Sequence, residues 1–111
     1  MRKYEVMYIL QPTLATEEQT TLVNRFNDLI TSMGGSVTGI ATMTPSGTVL
    51  KLENTERFER RTLAYDLKGC RDGYYVIIWF DGDPTLETEM DRQMKLTEAI
   101  LRHMITRPDE K

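Results

Sequence analysis

Long hydrophobic runs are missing from this chain of 111 residues. No stretch of roughly 18 apolar residues occurs, and the apolar segment near the start is cut short at Pro12, so membrane insertion and a secretory leader are both disfavoured. Cysteine is nearly absent as well. Cys70 stands alone, which rules out an internal disulfide, excludes a cysteine-built zinc cage within one chain and suits a reducing compartment. An excess of positive charge is also lacking: 14 Lys and Arg against 17 Asp and Glu leave a net of -3. That balance argues against indiscriminate polyanion binding but leaves room for a local basic surface. Histidine is reduced to one residue, His103, among Leu101, Met104 and Ile105. With no orienting partner in view it reads as structural or surface, not as a general acid or base. Phosphate-cradling glycine motifs are missing too, because Gly34-Gly35 follows a predicted helix instead of opening one.

What remains is a composition that can build a core, 40% hydrophobic against 28% charged, in a length that suits one domain over residues 1–111. Residues 3–10 read as a strand ending at Gln11-Pro12. Tyr4, Val6, Tyr8 and Leu10 share one face and Met7 and Ile9 the other, so the strand is apolar on both sides and belongs inside a sheet. A helix follows, with Thr16 as N-cap and Gln19 completing a capping box. Leu22, Val23, Phe26, Leu29, Ile30 and Met33 form its apolar stripe, and Gly34-Gly35 its left-handed stop. Residues 36–43 read as a weaker strand, joined by a turn at Thr44-Pro45-Ser46-Gly47 to Thr48–Leu52 as a local hairpin. Residues 60–67 resume an extended pattern, and 68–73 are a loop. The clearest strand is 74–80, again apolar on both faces. Asp83 and Pro84 open a second helix carrying Leu86, Met90 and Met94 at every fourth position, and 100–107 closes the chain as a strand.

The order strand, helix, strand, strand, helix, strand predicts an α+β, ferredoxin-like two-layer sandwich: a four-stranded antiparallel sheet with both helices on one face and the extra hairpin inserted in strand two. Two helices cover only one face of such a sheet. The other face is therefore expected to stay partly exposed or to be closed by a partner.

Chemistry-bearing clusters are thin. Cys70 has basic neighbours, Lys68 and Arg71, yet no histidine to activate it. The seven methionines are accounted for as core filler, with Met33, Met90 and Met94 on helical stripes. The acidic group Asp81, Asp83, Glu87, Glu89 and Asp91 straddles the start of the second helix, where dipole pairing and solvation explain it. No catalytic residue, cofactor or metal site is expected. The basic side is more informative: Arg57, Arg60, Arg61, Lys68 and Arg71 against Glu59, Asp66 and Asp72 give residues 57–72 a net of +2 in an acidic protein. Arg2 and Lys3 begin the first strand, Arg102 and Arg107 lie on the last, and guanidinium groups beside exposed tyrosines such as Tyr4 and Tyr65 suit phosphates and stacked bases. Arg71-Asp72-Gly73-Tyr74-Tyr75-Val76 is partly similar to the aromatic strand of RNA-recognition motifs, though Asp72 separates the arginine from the glycine.

Three segments together resemble the family of the sixth protein of the bacterial-type small ribosomal subunit. They are Met1-Arg2-Lys3-Tyr4-Glu5 with Tyr8-Ile9-Leu10-Gln11-Pro12, Arg60-Arg61-Thr62-Leu63-Ala64-Tyr65, and Met94-Lys95-Leu96-Thr97-Glu98-Ala99-Ile100-Leu101-Arg102. With Gly73-Tyr74-Tyr75 between them in the right place, the likeness spans nearly the whole chain. The resemblance implies a non-enzymatic structural protein of the ribosome. It implies binding to the central domain of small-subunit rRNA on the platform, as a heterodimer with the eighteenth small-subunit protein. Its RNA-contacting tendency carries over to Arg2, Lys3, Tyr4, Arg60, Arg61, Tyr65 and Arg102, and charge adds Arg107. Two departures stand out. Asp66 occupies the usual proline position, and residues 41–59 read as an insertion of roughly fifteen residues, a hairpin placed either to reach other ribosomal proteins or to serve as an unpartnered ornament. A start at Met1 without a transit-like segment favours a bacterial ribosome or an organelle-encoded one in matrix or stroma. The rival readings are a small-molecule sensor or regulatory module on the same fold, and a small enzyme relying on His103 or Cys70.

Overall fold

The structure, a computed structural model, describes residues 2–43, 49–53 and 74–107. Within them the chain runs β1 (Arg2–Leu10), α1 (Thr16–Ser32), β2 (Ser36–Met43), β3 (Val49–Glu53), β4 (Tyr74–Gly82), α2 (Pro84–Leu96) and β5 (Ile100–Thr106). The strands form one sheet in the order β3-β2-β4-β1-β5, with every neighbouring pair antiparallel. Without β3 this is the expected β-α-β-β-α-β ferredoxin-like sheet. β3 adds a fifth strand along β2, and that pairing is the described part of the expected hairpin. The turn at 44–47 and the extended stretch at 60–67 lie outside the described residues.

The doubly apolar strands are the interior ones. β1 lies between β4 and β5, and β4 between β2 and β1. One face, with Tyr4, Val6, Tyr8, Leu10, Val76, Ile78 and Phe80, packs under both helices, which contribute Phe26 and Ile30 from α1 and Leu86, Met90 and Met94 from α2. Tyr4 stacks on Phe80 with ring centroids 5.3 Å apart, and Tyr8 meets Phe26 edge-on at 5.6 Å.

The start of α1 differs from expectation. Ala15, extended at φ -66 and ψ 154, holds the N-cap position, and Thr16 is already helical. The capping box is thereby out of register by one residue, and the Gln19 amide instead donates to the Leu14 carbonyl at 3.0 Å. Leu14 packs against the core, and that tertiary anchor, not the threonine hydroxyl, sets where the helix begins. The end follows the glycine pair. Gly34 takes φ 84, and the amides of Gly34 and Gly35 donate to Thr31 and Ile30 at 3.1 and 2.9 Å, closing the last turn. Met33 sits at the C-cap and is 37% exposed, so it falls off the apolar stripe. Asp83 does precede α2 as N-cap, but its carboxylate makes no capping bond.

The second sheet face carries a separate cluster: Met7, Ile9, Ala41, Tyr75, Ile77 and Trp79, with Met104 packed against it. This face is expected to be partly exposed or closed by a partner, and Arg102 on it is exposed while its centre is buried. Within the single chain Ile77 is fully buried, and Tyr75 and Trp79 are 2% exposed.

Candidate nucleic-acid interface

The register sorts the basic residues by face and by end of the sheet. Arg2 pairs with Gly82 and Lys3 with Asp81, so both stand at the end of the sheet where β4 runs into α2. Both are exposed. Because Glu5 lies opposite Thr106, Arg107 follows at that same end. Arg102 does not join them. It is exposed and lies opposite Ile9, on the face away from the helices, about 20 Å along the strand from Lys3. The described basic candidates thus form two groups and not one patch. Arg60, Arg61 and Tyr65 lie outside the described residues, as do Arg57, Lys68, Cys70 and Arg71.

Tyr4 requires a correction. Expected to be exposed beside the arginines, it is fully buried, since the alternation that places Val6 and Tyr8 under the helices places Tyr4 there too. Its ring is committed to Phe80 and is not offered to a base. Burial pushes its phenol above the ordinary value, the neighbouring Glu87 carboxylate pushes the same way, and Arg2 partly offsets both. Arg2 therefore shares its corner with an acidic group. Asp81 stands directly across from Lys3, and Asp83 begins the adjoining helix. Local attraction for phosphate at this end is diluted by these carboxylates.

Two polar arrangements escape the sequence pattern. Glu5 is 8% exposed in the second face, where the Trp79 indole Nε1–H donates to its Oε1 at 2.8 Å and the Thr106 hydroxyl donates to Oε2 at 3.4 Å. Only the register, which sets Glu5 opposite Trp79, reveals the pair. The other joins β5 to α2: His103 Nε2 lies 2.8 Å from Asp91 Oδ1, while Lys95 Nζ lies 2.8 Å from Oδ2 of the same carboxylate. Lys95, and after it His103, hold the Asp91 carboxyl below its ordinary range. His103 is thus a tie between two elements. Among the described residues no group of three or more histidine, cysteine, aspartate or glutamate side chains is arranged to hold a metal ion, and no helix is long and apolar enough to cross a membrane.

Comparison with known proteins gives a consistent result. The family model for Ribosomal protein S6 matches residues 3–49 and 45–107, two stretches that overlap inside the segment read as an insertion. The chain is 38% identical over 109 residues to the small ribosomal subunit protein bS6 of Desulforudis audaxviator, covering 98% of this chain and 100% of that one. It is equally 38% identical over 111 residues to the bS6 protein of Exiguobacterium sibiricum, covering both chains fully. In fold it is similar to the crystal structure of 30S ribosomal protein S6 from Thermotoga maritima, with TM-score 0.67, 24% identity, and coverage of 96% of this chain and 86% of that one.

Proposed function

Since the chain belongs to the ribosomal protein S6 family, and is a structural, non-enzymatic constituent of the small ribosomal subunit, we propose that it binds the central domain of small-subunit rRNA on the platform. It does so as a heterodimer with the eighteenth small-subunit protein. The observation that carries this reading is likeness to a bS6 protein from one end of the chain to the other. The charge supports the paired form. A chain of net charge -3, whose described candidate contacts stand in two separate groups, neutralises few phosphates alone, and a basic partner supplies the remainder.

Arg2 and Lys3 at one end of the sheet, Arg102 at the other, and Arg60, Arg61 and Tyr65 are the proposed RNA contacts, with Arg107 beside the first pair. Tyr4 is set aside, being buried. Other ribosomal proteins are the proposed contacts of the inserted segment at 41–59. The bacterial sources of the relatives favour a bacterial ribosome.

The test is binding of the purified protein to a central-domain rRNA fragment, with and without the eighteenth protein, across a salt series. Tight binding only in the pair, weakening steeply with salt, is expected. Absence of binding in both conditions would overturn the platform role.

A further inference from the structure

We draw no further inference here: the strongest candidate, the exposed pair Leu96 and Leu101 on either side of the turn joining α2 to β5, carries nothing because nothing in the structure shows what covers it.

Discussion

Glu5 keeps a carboxylate inside an otherwise apolar layer, and the Trp79 indole gives it a partner there. Trp79→Phe preserves most of the ring's apolar bulk but removes the donor, leaving the buried group one bond short. The expected loss is about 1–3 kcal/mol, read from urea unfolding followed by circular dichroism. An unchanged midpoint would show that the bond contributes nothing to folding. At the surface the effects are electrostatic. Hydrogen bonds from Arg92 and then Gln93 hold the Glu89 carboxyl at about 2 instead of its ordinary 4.5. A carboxyl whose folded pKa is depressed contributes stability at pH above its unfolded value and loses it as pH falls toward the folded one. Any contribution from Glu89 therefore fades between about 4.5 and about 2, and solvent and salt keep it small. In a carboxyl NMR titration the Glu89 midpoint should lie at about 2 and move back toward 4.5 in Arg92→Ala. A midpoint that ignores the substitution would mean that Arg92 is not its cause.

The elements meet most tightly where α1 ends and α2 begins. A Cβ added at Gly35 would lie 2.6 Å from the Asp81 carbonyl oxygen and 2.8 Å from Leu86 Cδ2. The first of these is backbone of a central strand and cannot swing aside. Gly35→Ala should therefore cost roughly 1–3 kcal/mol by overpacking, measured as a lowered denaturation midpoint. A neutral result would show that α1 and β4 can separate at this end without penalty. The helices themselves are legible from the sequence, since Phe26 and Ile30, and Leu86, Met90 and Met94, fall at helical spacing and are the residues buried. The α1 start departs from the sequence signal by one residue for an equally physical reason. Capping preference is worth about 1 kcal/mol, and docking of Leu14 onto the core outweighs it.

For the whole molecule the central problem is how an acidic protein engages a polyanion. Arg60 and Arg61 form an adjacent basic pair in a segment of local net charge +2. Replacing both with alanine should weaken assembly on rRNA and flatten the salt dependence by about one unit of slope for each phosphate no longer neutralised, with little change in thermal stability. An intact slope would remove them from the RNA site. The likeness to bS6 proteins is readable in short segments spread over the chain, because a family signature survives in local residue order. The arrangement of the basic groups is not. Counting arginines shows how many there are, while their separation depends on strand register and on which face each residue takes.

The sequence by itself determined the order and type of the described elements, the two doubly apolar strands and most residues of the helix-covered core. These follow from periodicity and end signals, which act over a few residues and need no distant partner. Tertiary structure decided the rest. It placed β1 between β4 and β5, set Glu5 against Trp79, buried Tyr4 beneath the helix layer, and kept Arg102 apart from Arg2 and Lys3. The reason is that a strand's alternation defines two faces but does not say what will cover either one. Pairing partner and register are set by contacts between residues far apart in sequence, such as position 5 with 79 and 106.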